Sequence, residues 1–212
     1  ACRRQRVKRV VIASTDKVYG DGPAPYREDQ PLFPHGIYAT SKAAADFLAQ
    51  GYAREYGMSI AVTRCGNLYG SGHTNWSALI PGAMRAAVLG QVFALRSDGS
   101  MMRDYLFAPD AVEGYLRLVD SDTAGAFNFG TGAASSALDV LRLIGDAAGG
   151  ALEFTTPVAQ ASFAEIRDQH LDSSRARDAL GWAARSDLAS GLGETLSWYR
   201  KFFSDSSAAG SS

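Results

Sequence analysis

Tyr38 and Lys42 lie four residues apart, about one turn of an α-helix, so a phenol and an ammonium would face the same side. A neighbouring cation stabilises a phenolate, which makes a tyrosine usable as a base near neutrality. Upstream, Ser14-Thr15-Asp16-Lys17 closes the apolar run Val10-Val11-Ile12-Ala13. Thr15, Asp16 and Lys17 offer a hydroxyl, a carboxyl and an amine in consecutive positions. Together the two segments form a proton-handling set. The plainer alternatives are an exposed Tyr-x-x-x-Lys turn, and an Asp16 that caps a turn beside a solvated Lys17. Position favours chemistry, because open α/β sheets bind ligands at the carboxyl ends of their strands.

The elements that must hold these groups follow from periodicity. Val7 to Ala13 reads as a short buried strand. Asp21 to Gly36, rich in Pro and Gly, reads as a loop. Thr40 to Tyr56 reads as a helix ended by Gly57, with Ala44, Phe47, Leu48 and Gly51 on one face. Ser59 to Thr63 is a second strand and 66–76 a loop. Ser77 to Leu89 is a helix that tolerates Pro81 near its start. Val92 to Leu95 and Tyr105 to Phe107 read as short strands, Asp110 to Val119 as a helix, and Ala126 to Phe129 as a strand. Leu138, Leu141, Ile144 and Ala148 mark a helix, and Leu152 to Thr155 a strand. Leu188, Leu192, Leu196, Tyr199 and Phe203 mark the last helix. Strands alternating with helices imply an α/β fold with a largely parallel sheet. Residues 204–212, SDSSAAGSS, read as a disordered tail.

The 212 residues suit one large domain or two small ones, and 46% apolar content supplies a core. A net charge of −1 gives no global field that would draw nucleic acid or a membrane surface. The basic run Arg3, Arg4, Arg6, Lys8, Arg9 reads as the solvated end of a helix entering the first strand. Two cysteines, Cys2 and Cys65, are too few for a disulfide framework, which points to a reducing, cytoplasmic setting. No apolar run approaches a membrane span of about 20 residues, and no signal peptide is evident. His35, His73 and His170 lack metal-ligand spacing, so no metal is expected. Gly130-Thr131-Gly132-Ala133-Ala134-Ser135 imitates a dinucleotide loop, but Ser stands for the third glycine and no acidic residue ends a second strand at the required distance. It reads as a structural turn.

Five segments in order carry a resemblance over residues 7–203: ASTDKVYGD, YATSKAAADFLAQGYAREYG, RCGNLYGSG, RDYLFAPDAVEGYLRLVD with FNFGTG, and the terminal SSRARDAL-GW…GL-ETLSWY. Together they resemble the extended short-chain dehydrogenase/reductases that act on nucleotide sugars, the NAD-dependent epimerase/dehydratase group. Thr-Asp-Lys is similar to the nucleotide-sugar 4,6-dehydratases, and among them to the CDP-glucose 4,6-dehydratase branch. The resemblance implies a Rossmann-like parallel-sheet domain, at 1–75 and 102–132, interleaved with a small α/β lobe for the sugar nucleotide at 76–101 and 133–203. It implies NAD as cofactor, a nucleotide-diphosphate hexose as substrate, and a homodimer formed through a bundle that includes the Tyr38 helix.

Roles follow from the same resemblance. Tyr38 takes the proton of the sugar C4 hydroxyl as hydride passes to NAD⁺; Lys42 holds the nicotinamide ribose and Ser14 lines the cofactor. Thr15 orients the C4 oxygen. Asp16 protonates the departing C6 hydroxyl, and Lys17 stands near C5–H. Asn67, Arg103 and Arg167 contact the nucleotide sugar, where cations and N–H donors suit a diphosphate. The plainer readings are a turn for Asn67 and a salt bridge to Asp104 for Arg103. Ser77-Ala78 stands before Leu79-Ile80-Pro81 where relatives often carry a basic residue, which leaves one phosphate contact unfilled. No glycine-rich phosphate loop precedes Val7 and the chain opens on Ala1, so a longer protein is expected of which this is the C-terminal portion. A 4-epimerase would need only Thr15, Tyr38 and Lys42, and a non-catalytic sugar-nucleotide-binding or assembly module would need none of the proton chemistry.

Overall fold

The computed structural model describes residues 1–150, 152–157 and 166–209, with side chains to Asp205. Strands are β1 (Val10–Thr15), β2 (Ile60–Cys65), β3 (Asn67–Tyr69), β4 (Phe93–Ala94), β5 (Met102–Phe107), β6 (Gly125–Phe129), β7 (Ala134–Ser136), β8 (Phe154–Thr155) and β9 (Asp168–Gln169). Helices are α1 (Gly36–Tyr56), α2 (Leu79–Leu89), α3 (Ala108–Val119), α4 (Ala137–Ala147), α5 (Ser174–Leu180) and α6 (Leu188–Ala209), with a 3-10 turn over Asp16–Tyr19. The chain divides into two compact units. One comprises 1–68, 104–134 and 168–185, the other 69–103, 135–167 and 186–212.

The first unit is built on a parallel sheet ordered β1-β2-β6. Val10 pairs with Ile60 and Thr15 with Cys65, and on the far side Ala61 pairs with Gly125 and Cys65 with Phe129. Every residue of the central strand is buried, as expected of a parallel strand covered on both faces. One face packs Ala49 of α1 on Ile60, Val62 and Ala126. On the other, Leu106, Ala111, Leu118, Phe127, Phe129 and Trp182 form the main core. Trp182 meets Phe129 edge-on at 4.6 Å and donates its indole N–H to the Asp110 carbonyl. That packing is why 168–185 belong with the sheet and not with the lobe expected to run from 133 to 203. A second sheet is ordered β3-β5-β7, with β9 against β5.

The second unit stacks α2, α4 and α6 on one another beside a parallel β4–β8 ribbon. Ser136 and Asp139 form a capping box at the start of α4, satisfying two backbone donors the helix leaves open. The Tyr199 hydroxyl of α6 donates to the His73 carbonyl. α6 continues to Ala209, so most of the expected disordered tail is helical; Ser204 Oγ returns a bond to Lys201 O, and Ser and Ala are adequate helix formers. Positions 210–212 of that tail lie outside the described residues. No helix among the described residues is long and apolar enough to cross a membrane.

Three local readings need correction. The basic run is not the end of a helix: residues 2–6 form turns, and the Arg9 guanidinium bonds Leu118 O, Ser59 Oγ and Thr123 O. The buried face of α1 is not Ala44-Phe47-Leu48-Gly51 but Ala39, Ala43, Asp46 and Ala49. Small residues let the helix lie close to the sheet, while Phe47 and Leu48 are 55% and 65% exposed. The stretches 67–69 and 134–136, read as loop and turn, are short strands.

Gly20 ends the 3-10 turn at φ +71, and a Cβ there would lie 1.8 Å from the Phe33 carbonyl oxygen. Gly20→Ala should therefore cost at least about 2 kcal/mol in denaturant unfolding. Gly51→Ala, mid-helix with nothing within 4 Å, should instead stabilise by about 0.5–1 kcal/mol. Equal effects from the two substitutions would contradict the backbone described for Gly20.

Candidate active site

β1 delivers its last residues to the carboxyl edge of the parallel sheet, and the chain turns at once. Thr15 caps the 3-10 turn, its Oγ1 accepting from Lys17 N at 3.4 Å. The turn carries Asp16 inward, where it is fully buried. Asp16 Oδ1 accepts from Thr15 Oγ1 at 3.0 Å and from Lys17 Nζ at 3.4 Å. Lys17 Nζ donates also to Asn67 Oδ1 at 2.8 Å. Asn67 opens β3, separated only by Gly66 from Cys65, which ends β2. Thr15, Asp16, Lys17 and Asn67 thus form one hydrogen-bonded cluster.

Two buried polar atoms at this strand end have no partner among the described residues: Ser14 Oγ and Asp16 Oδ2. Buried polar atoms are rarely left so, and here both stand where an α/β sheet offers its ligand site. Burial pushes the Asp16 carboxyl above the ordinary carboxylate range. Lys17 and the Thr15 hydroxyl pull it back, and the charge of Asp104 adds to the rise. A carboxyl so placed keeps a proton that an exposed aspartate gives up.

α1 approaches the same strand. Lys42 Nζ donates to Ala13 O at 3.2 Å, two residues before Thr15, so the ammonium reaches the end of β1. Tyr38 sits one turn earlier in α1, with 57% of its surface exposed. Arg103 and Arg167 belong to the second unit. Arg103 Nη1 donates to Met102 O and Ile166 O, while Arg167 is exposed and its carbonyl accepts from Met102 N.

The Gly130-Thr131-Gly132 turn encloses an anion, but the anion is its own chain's. Asp104 Oδ1 accepts from Thr131 N and Oγ1 at 2.8 and 2.7 Å, and Oδ2 accepts from Gly132 N at 3.1 Å and Leu171 N at 3.3 Å. A Cβ on Gly130 would lie 2.4 Å from Asp104 Oδ2. The donors that a dinucleotide loop would aim at a pyrophosphate are occupied.

Sequence reasoning missed a second buried charge system. Arg64 is 2% exposed in β2 and bonds Asp46 Oδ2 through Nε at 2.8 Å. Its Nη1 donates to the Tyr19 hydroxyl at 2.9 Å. Asp46 lies four residues beyond Lys42, on the helix stripe that bears it. That spacing was the available signal.

The comparisons with known proteins fit this geometry. The dTDP-glucose 4,6-dehydratase of Streptomyces griseus is 35% identical over 211 residues, 95% of this chain and 61% of that protein. The dTDP-glucose 4,6-dehydratase of an Actinoplanes species is 32% identical over 207 residues, 94% of this chain and 62% of that protein. The chain thus spans about three fifths of the length of these curated relatives. Among solved structures, dTDP-glucose 4,6-dehydratase from Bacillus anthracis in complex with NAD superposes with a TM-score of 0.83 at 27% identity, over 94% of this chain and 64% of that one. UDP-glucose 4-epimerase from Thermotoga maritima with UDP-glucose superposes with a TM-score of 0.86 at 25% identity, over 95% and 66%. The sheet is Rossmann-like in the manner of these structures. The profile of the NAD dependent epimerase/dehydratase family matches residues 1–130, and the chain belongs to that family.

Proposed function

We propose that this chain carries the proton-handling centre of an NAD-dependent nucleotide-sugar 4,6-dehydratase. The observation that carries the reading is the buried Asp16, with its raised affinity for a proton and its unpartnered Oδ2. A 4-epimerase has no use for such an acid. Several relatives are dTDP-glucose 4,6-dehydratases, which supports the same choice.

The residues at the end of β1 fit the nicotinamide end of NAD: Ser14 offers a buried hydroxyl without a partner, and Lys42 holds an ammonium over the strand. Bound NAD⁺ supplies reversible hydride exchange with the sugar. Tyr38 takes the proton of the C4 hydroxyl, and Lys42 stabilises the phenolate that does so. Thr15 holds the C4 oxygen. The C4 ketone acidifies the C5 proton, and Asp16 gives its proton to the C6 hydroxyl as that group leaves. Lys17 takes the C5 proton. Lys17 Nζ is already hydrogen-bonded to Asp16 Oδ1, and burial of the Asp16 carboxyl favours its protonated, proton-donating form. Asn67 holds Lys17 and stands ready for the substrate. We assign the second unit as the sugar-nucleotide lobe, with Arg103 and Arg167 as its diphosphate-binding residues.

The reading carries a homodimer with it, supported by the exposed Phe47, Leu48, Tyr52 and Tyr56 of α1, and a cytoplasmic setting, supported by the unpaired Cys2 and Cys65. Incubation of the full natural protein with NAD⁺ and dTDP-, UDP- or CDP-glucose tests it. The expected product is lighter by one water and absorbs in alkali as a 4-keto sugar. A product of unchanged mass with C4 inverted would make the protein an epimerase, and binding without turnover would make it a binding module.

A further inference from the structure

Arg64, buried in β2, touches both halves of the catalytic set described above. Through Asp46 it grips α1, which bears Tyr38 and Lys42. Through the Tyr19 hydroxyl it grips the last residue of the 3-10 turn, which bears Asp16 and Lys17. The guanidinium also lies over the Tyr19 ring at 5.0 Å and reaches Glu28 O at 3.4 Å. Tyr19 passes the link on. Its hydroxyl donates to Asn128 Oδ1 at 2.7 Å, and Asn128 N donates to Glu28 Oε1 at 2.7 Å. Burial raises the Tyr19 phenol to about 12, so it remains a neutral hydroxyl that accepts from Arg64 and donates to Asn128.

Stability alone does not call for this arrangement. A buried ion pair is often replaceable by apolar residues of similar volume at no loss of stability. What apolar residues cannot supply is direction. A guanidinium presents N–H donors in a fixed planar fork, and here the fork joins two elements whose relative placement decides how acid, base and phenol meet one substrate. We propose that Arg64 is a positioning residue, which fixes the Tyr38–Lys42 helix and the Asp16–Lys17 turn in register through Asp46 and Tyr19. The inference rests on the dehydratase reading and adds to it a reason for a charge buried in the central strand.

The test uses the full natural protein with NAD⁺ and two substrates. A nucleotide-diphosphate glucose reports water loss. Its 6-deoxy analogue, with no C6 hydroxyl to lose, reports oxidation at C4 alone through NADH absorbance. Arg64→Lys keeps the charge and loses the fork. It should lower the rate of both half-reactions by about a hundredfold with KM within about threefold, as misplacement of reacting groups does. Tyr19→Phe removes the hydroxyl's bonds to Arg64 and Asn128 and leaves the Arg64–Asp46 link to the helix intact, and should slow water loss at least tenfold more than oxidation. Circular dichroism sets the folded fraction. If both half-reactions fall equally in Tyr19→Phe, or if kcat per folded molecule is unchanged in Arg64→Lys, the residue is structural only and the proposal fails. Should Arg64→Lys not fold, the paired Arg64→Met/Asp46→Leu replaces it, with slow turnover supporting the proposal and full turnover refuting it. A wild type that oxidises but never loses water refutes the dehydratase reading, and Arg64→Lys on the oxidation assay then still decides the clamp.

Discussion

On the dehydratase reading proposed above, Asp16→Asn should abolish water loss while leaving oxidation at C4 measurable, and it should change how stability depends on pH. On activity, an amide of the same shape cannot donate the proton that the departing hydroxyl needs. The loss of a placed general acid costs about 10²–10⁴-fold. Product mass and NADH absorbance read the two effects separately. On stability, the unfolded carboxyl releases its proton near the ordinary aspartate value of about 4. The folded carboxyl is raised by burial, so it holds its proton to a higher pH. Its contribution to stability is complete below the unfolded value. It is lost as pH rises through the folded one, at up to about 1.4 kcal/mol per pH unit. The Asn variant has no such loss. Denaturant melts across that window should therefore show the difference between variant and wild type moving in the variant's favour as pH rises. A difference that stays flat with pH would mean that Asp16 is ionised in the fold, which sinks its role as acid.

The second large effect is on folding. Asp46→Ala should destabilise the protein by about 3–5 kcal/mol, because it leaves a guanidinium buried without its counter-charge. Arg64 and Asp46 have side chains 3% and 0% exposed, so water cannot take the place of the lost carboxylate. The paired replacement Arg64→Met/Asp46→Leu should recover most of that cost, since desolvating two charges is itself expensive. Thermal unfolding of the wild type and the two variants checks both statements. A single variant that loses less than about 1 kcal/mol would place the pair among surface ion pairs, whatever its burial.

The parallel sheet was legible because its strands are short apolar runs bounded by turns, and α1 was legible through its periodicity and Gly57, which ends it at φ +61. The cluster at the end of β1 was also legible, since Thr15, Asp16 and Lys17 are consecutive. What stayed hidden depends on pairing at a distance. Charge inside a strand reads as the strand's end, so β2 was expected to stop at Thr63, yet it continues through Arg64 to Cys65. Asp46 pairs with Arg64 across 18 residues, and no local pattern shows that the two charges cancel. The same blindness turned α1 the wrong way, because Phe47 and Leu48 are apolar and Asp46 is not. β9 has two residues, fewer than any periodicity can register. α5 opens on Ser174-Arg175, with too few apolar positions to define a face.

The turn around Asp104 bears on how glycine patterns are read. Backbone amides that converge on a carboxylate do not distinguish an aspartate of the same chain from a phosphate of a guest. The spacing of glycines therefore announces that a negative group is being wrapped and is silent about who owns it. A chain can satisfy such a pattern from within and leave nothing for a nucleotide to occupy.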